Sequence, residues 1–137
     1  MRDAGTSSGG LIVLDASSLT SLLLDPKAGE HSVVRGARLL APSLLPYEVT
    51  NVLRRLQATG RLASRHATQA FSDLATLDID YWAWALLAER TWQLRTNLSS
   101  YDAAYVALAE RTDALLVTRD ARLARAPGIG CEVKVLS

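Results

Sequence analysis

Apolar positions along this chain fall into two rhythms. Leu11–Leu14 and Leu115–Thr118 are short, nearly continuous apolar runs. A run without alternation reads as a strand covered on both faces, because a strand with one wet face alternates apolar and polar residues. Between such runs lie longer stretches at helical spacing. The clearest covers residues 44–59, where Leu45, Val49, Val52, Leu53 and Leu56 form one stripe and Gly60 suits the left-handed position after the last turn. The same reasoning predicts helices over 18–24 (closed by Asp25-Pro26), 30–37, 64–76, 82–95, 101–111 and 121–126, with Ser99 or Ser100 as the cap of the sixth. Further strands are expected at 38–41, 77–80 and 132–136. Strands separated by helices imply right-handed crossovers and an α/β fold, with a parallel central sheet between helical layers. In such a sheet, reactive groups gather beyond the carboxyl ends of the strands.

Composition narrows the picture only a little. A chain of 137 residues, 49% hydrophobic and 21% charged, suits one soluble globular domain, assigned to residues 11–137. Residues 1–10 are small and polar, lack the apolar stretch of a signal peptide and read as a flexible lead-in. No apolar run approaches the length of a membrane helix. Cys131 is the single cysteine, which rules out an internal disulfide and makes the cytoplasm the default expectation. The net charge is +1, but 13 of the 15 basic residues are Arg, whose planar fork of donors suits phosphate oxygens. A GC-rich genome explains the same bias equally well.

The acidic residues carry more information. Asp15 directly follows the first strand and Asp120 follows the strand at 115–118, so a parallel sheet puts both on one rim. Asp102 opens the helix that precedes that second strand, and Glu48 sits one turn into the long helix. Singly, Asp15, Asp102 and Asp120 are explained as helix caps or as complements of a helix N-terminus. Glu48 is not, since it shares a face with Leu44, Leu45 and Val52, and a carboxylate beside an apolar stripe needs compensation. Acids gathered at one rim also repel each other and raise their own pKa values, a conflict that a divalent cation relieves. With oxygen ligands and no His/Cys set, the expected ion is Mg²⁺ or Mn²⁺ rather than zinc.

Four segments, Leu14-Asp-Ala-Ser-Ser-Leu19, Pro46-Tyr-Glu48, Tyr101-Asp-Ala-Ala-Tyr-Val-Ala-Leu-Ala109 and Thr118-Arg-Asp-Ala-Arg-Leu123, resemble the four acidic motifs of PIN domains, in family order. The likeness extends from about residue 11 to 136, and the Ala126-Pro-Gly128 segment is most similar to the VapC branch. That resemblance implies a Rossmann-like α/β/α sandwich, Mg²⁺- or Mn²⁺-dependent RNA cleavage, a homodimer, and inhibition by a cognate VapB-like antitoxin. It assigns Asp15, Glu48, Asp102 and Asp120 to the catalytic metal site, with Ser17 and Thr118 as supporting hydroxyls. The antitoxin would find an apolar groove on helical faces such as that of Leu22, Leu23, Leu53 and Leu56.

Other residues read more plainly. His31 and His66 are expected at the surface, Arg119 and Arg122 as solvated arginines, and Trp82, Trp84 and Trp92 in core or subunit contacts rather than stacked on bases. Three rival readings stay open. A signalling receiver domain also has an acidic Mg²⁺ pocket, but it needs a paired acid after the first strand and a Lys at a late strand end. Here Asp15 stands alone, and Lys134 lies inside the last strand. The others are a PIN-like module that binds without cleaving, and a nuclease of this type acting on DNA.

Overall fold

The computed structural model describes residues 10–137. The lead-in assigned to the first ten residues therefore falls, apart from Gly10, outside the described residues. Five strands form one wholly parallel sheet: β1 (Leu11–Leu14), β2 (Arg38–Pro42), β3 (Ile79–Trp82), β4 (Leu115–Thr118) and β5 (Val133–Val135), in the order β3-β2-β1-β4-β5. The central strands β1 and β4 are the two continuous apolar runs, and three of the four residues in each are buried. The edges read differently. Strand β3 leaves Asp80 and Tyr81 exposed and β5 leaves Lys134 and Val135 exposed, as strands with one open side do.

The helices are α1 (Ala16–Leu24), α2 (Glu30–Val33), α3 (Leu45–Ala58), α4 (Ser64–Thr76), α5 (Trp84–Gln93), α6 (Ser100–Thr112) and α7 (Ala121–Ala124). Helix α3 buries Leu45, Val49 and Leu53, the stripe its spacing predicts, and Gly60 adopts the left-handed conformation at φ 75°. Helix α6 is the most enclosed: every residue from Ala103 to Ala109 is buried. Its alanines let it lie close to β1 and β2 while α5 packs against it. Glu110 then ties the chain end to this layer, accepting from Arg90 Nε at 2.6 Å, Arg90 Nη2 at 3.0 Å and the Gly130 amide at 2.6 Å.

Several expected boundaries shift. The segment at 30–37 is helical only to Val33, because the chain turns through Gly36 at φ 74° before β2. The strand expected at 77–80 lies at Ile79–Trp82, and the helix expected from Trp82 starts at Trp84. Parallel pairing of Tyr81 with Ala41 and Trp82 with Pro42 draws these aromatics into the sheet, where bulky side chains pack well. No helix among the described residues is long and apolar enough to cross a membrane.

Candidate active site

Strand order reverses at β1, with β2 on one side and β4 on the other, and the crevice beyond the carboxyl ends of β1 and β4 is the switch point of the sheet. Asp15 stands there. The register pairs Leu14 with Val117, which sets Asp15 beside Thr118, and the Asp15 amide donates to Val117 O at 3.2 Å. Its side chain caps α1, accepting from the Ser18 amide at 3.0 Å. It does more than cap. Ser17 Oγ donates to Oδ1 at 2.7 Å and Thr118 Oγ1 donates to Oδ2, so the carboxylate is fixed by donors from β4 as well as from its own helix. Asp15 is only 8% exposed.

Glu48 reaches the rim from α3, and the Tyr105 hydroxyl donates to its Oε1 at 2.5 Å. Burial pushes its carboxyl above the usual range; the Tyr105 bond opposes this, and the charges of Asp102 and Asp15 add to it. Asp102 occupies the first turn of α6, whose cap Ser99 accepts from the Asp102 amide at 3.1 Å. It too titrates above its usual range, through burial first and then through Asp120 and Asp15, with Arg122 and Ser99 opposing. Glu48 and Asp102 thus shift in the direction expected of acids sharing a rim, although burial rather than repulsion is the first cause.

Asp120 behaves differently. It caps α7 and takes the Arg122 guanidinium, with Nε at 3.1 Å and Nη2 at 2.9 Å, which holds its carboxyl below the usual range. An open cleft of about 460 Å³ lies between Ser99, Asp102, Asp120, Arg122 and Pro127. Among the described residues, no three Asp, Glu, His or Cys side chains converge closely enough to cage an ion. Three of the four acids are instead turned toward donors of their own: Asp15 toward Ser17 and Thr118, Glu48 toward Tyr105, Asp120 toward Arg122. The donor chemistry nevertheless fits a hard cation. Mg²⁺ keeps several waters and commonly takes only one or two carboxylates directly, so it does not require a closed cage.

Several polar residues outside the four acids depart from their expected roles. Arg119, expected to be solvated, donates through Nε and Nη2, both at 2.8 Å, to the carboxylate of the fully buried Glu30. Arg122 is solvated as expected, and its guanidinium also pairs with Asp120. Trp84 and Trp92 are 74% and 67% exposed, which removes the core half of the expected core or subunit contact for them, while Trp82 is half-buried. His66 is exposed, and His31 contacts Asp25 O through Nε2 at 2.9 Å, near the surface as expected. Leu53 lies in the core and is closed to any partner, while Leu22, Leu23 and Leu56 remain half-buried. Tyr105, Glu30 and the Arg119 pairing are the participants that spacing did not single out. Tyr105 had one local signal, its position three residues after Asp102 on the same helix.

Residues 12–129 match the PIN domain family. The chain belongs to that family. PIN membership removes the receiver-domain reading. The chain is 38% identical over 127 residues to the VapC ribonuclease Mb0985 of Mycobacterium bovis, a match covering 92% of this chain and 98% of the relative. It is 41% identical over 131 residues to ribonuclease VapC1 of Mycobacterium tuberculosis, covering 90% and 96%. Its PIN fold is similar to that in VapBC2 of Rickettsia felis bound to a DNA fragment from its promoter, with TM-score 0.67, 13% identity, and 93% and 99% of the two chains covered. It also resembles PAE2754 of Pyrobaculum aerophilum, with TM-score 0.58, 25% identity, and 89% and 90% covered.

Proposed function

We propose that this PIN-domain chain is a Mg²⁺- or Mn²⁺-dependent endoribonuclease acting as the toxin of a toxin–antitoxin pair. The observation that carries this reading is the group of acids at the sheet's switch point, where Asp15, Glu48, Asp102 and Asp120 are close enough to perturb one another. A fold gains nothing from half-burying mutually repelling carboxylates, so their gathering there speaks for a positively charged ligand. Relatives named as VapC ribonucleases, at 38% and 41% identity over nearly their whole length, supply the reaction class.

Asp15, Asp102 and Glu48 would hold the ion, with Asp120 contributing if it leaves Arg122. When bound, the ion supplies charge neutralisation at the phosphodiester and a more acidic water. The chain's own residues supply orientation. Ser17 and Thr118 lock both oxygens of Asp15, and Tyr105 holds one oxygen of Glu48 while leaving the other for a ligand. Arg122, 83% exposed at its side chain and standing beside the cleft, is placed to meet a phosphate if it exchanges Asp120 for substrate. No pair of histidines stands at the rim for metal-free attack by a 2′-hydroxyl, so the expected products carry a 5′-phosphate and a 3′-hydroxyl.

The partner reading is a VapB-like antitoxin whose tail covers the cleft, together with a homodimer of this chain. The test is direct. Purified protein should cut single-stranded RNA with Mn²⁺ or Mg²⁺, stop with EDTA, and lose activity by orders of magnitude as Asp15→Asn. Cleavage that persists in EDTA, or in Asp15→Asn, overturns the metal-site reading. Equal cleavage of the matching DNA strand would replace the ribonuclease by a general nuclease. Co-expression with the neighbouring gene product should relieve growth arrest and give a stable complex on size exclusion.

A further inference from the structure

Glu30 opens α2 and is fully buried, yet it is a carboxylate. Burial raises its pKa, but the hydrogen bonds and charge of Arg119, helped by its own backbone, outweigh this and leave it lowered, hence ionised at neutral pH. The pair spans 89 residues of sequence and is bidentate, with both N–O distances at 2.8 Å. Such a pair is a poor source of stability, since a well-packed apolar replacement is often equal or better. Direction is what it provides. Arg119 sits in the turn after β4, between two residues that face the acidic rim. On one side Thr118 donates to Asp15, and on the other the Asp120 amide donates to Thr118 Oγ1 at 3.0 Å. The Arg119 amide itself donates to Ser17 Oγ at 3.3 Å, and Ser17 in turn donates to Asp15. One three-residue turn thus grips Asp15 through the Thr118 hydroxyl, Ser17 through the Arg119 amide, and Glu30 through the Arg119 guanidinium.

We propose that Glu30 is a positioning residue: through Arg119 it fixes the turn after β4, and so holds Thr118 and Asp120 in register with Asp15. Its value to catalysis rests on the metal-site reading above, whereas its hold on the turn does not. With the pair removed, the turn keeps only single hydrogen bonds to the rim and opens locally while the strand beneath it stays closed.

The test replaces the pair by apolar residues, Glu30→Leu with Arg119→Met, which leaves no buried charge uncompensated. Glu30→Gln carries the same readouts if the double variant does not fold. In the metal-free protein, amide hydrogen exchange at Arg119 and Asp120 should accelerate about tenfold or more, with Leu116 and Val117 unchanged. Mn²⁺ affinity, followed by the electron paramagnetic resonance of free Mn²⁺, should weaken by about 10- to 100-fold, as for other residues that orient ligands without touching the ion. Parental exchange at Arg119 and Asp120 in a folded variant overturns the hold on the turn. Faster exchange with parental Mn²⁺ affinity overturns the service to the metal site. If the parent itself binds no Mn²⁺, it is the metal-site reading that falls, and exchange alone then judges Glu30.

Discussion

At the scale of single residues, the acids at the rim differ in what holds them, and their titrations should differ accordingly. A carboxyl whose native pKa is raised binds its proton more tightly in the fold than in the unfolded chain. Its contribution is therefore most favourable at low pH and is lost as pH rises from the ordinary value, 3.8 for Asp102, through the raised one. Without metal, Asp102→Asn should be more stable than the parent at neutral pH by up to about 1 kcal/mol, a scale set by like charges near a surface. The helix N-terminus favours the charge by about 0.3–1 kcal/mol, but burial and the neighbouring acids outweigh it. The advantage should vanish as pH falls toward 3.8, and added Mn²⁺ should reverse it by stabilising the parent more. Urea unfolding across pH, with EDTA and then with Mn²⁺, reads all three signs; a variant less stable than the parent at neutral pH in EDTA refutes the repulsion argument. Tyr105→Phe tests the opposite kind of contact. It strips Glu48 of its donor and should cost about 1–2 kcal/mol at neutral pH, with the deficit shrinking once Glu48 is protonated. Unchanged stability would show that water replaces the hydroxyl without loss. The four acids were legible because each sits at a fixed offset from a strand end or an apolar stripe. Tyr105 with Glu48 and Arg119 with Glu30 were not, because the partners lie 57 and 89 residues apart and no local spacing records them.

Among elements, those with strong periodicity or continuous apolar runs were readable almost to the residue: β1, β4 and α4 lie where the pattern puts them, and α3 differs by one residue at each end. Misreadings occurred where two signals competed. The aromatics at Tyr81, Trp82 and Trp84 suit either an edge strand or the start of a helix, and pairing with β2, a contact distant in sequence, decided the boundary. Likewise the short α2 ends at Val33 because Gly36 takes a left-handed turn that its neighbours disfavour, which no periodicity shows. The start of α6 is an element-level device that sequence did reveal. Ser99 accepts from the Asp102 amide, so the cap both begins the helix and fixes the backbone that carries a rim carboxylate. Ser99→Ala should cost about 1 kcal/mol, roughly 4 °C in Tm for a domain of this size. Because the cap also fixes Asp102, Mn²⁺ affinity should fall with it, whereas Ser64→Ala at the start of α4, a helix that carries none of the rim acids, should leave affinity alone. Equal Mn²⁺ affinity in Ser99→Ala would confine the cap to stability.

Taken as a whole molecule, the chain has a near-neutral charge for the polyanionic substrate proposed for it, and the ion pairs make it less basic than its arginine count suggests. Setting the four rim acids aside leaves fifteen basic against ten acidic residues, a remainder of +5. Of those bases, Arg38, Arg90, Arg119 and Arg122 already face carboxylates at 2.6–3.5 Å. Arg119 in particular is committed to a buried partner and is not free for phosphate. RNA binding should therefore release few counterions. For a single strand the log–log salt slope is about −0.7 per phosphate neutralised, so three to five contacts predict a slope of roughly −2 to −4. The measurement is fluorescence anisotropy of a labelled single-stranded RNA on Asp15→Asn, which should bind without cutting, between about 50 and about 300 mM salt. Arg122→Gln should flatten the slope by less than one contact's worth, since its guanidinium must first leave Asp120. A slope steeper than about −6 means on the order of eight or more phosphates. That many contacts would require a basic track built by more than this one chain, as when two copies or a partner align their arginines along the strand.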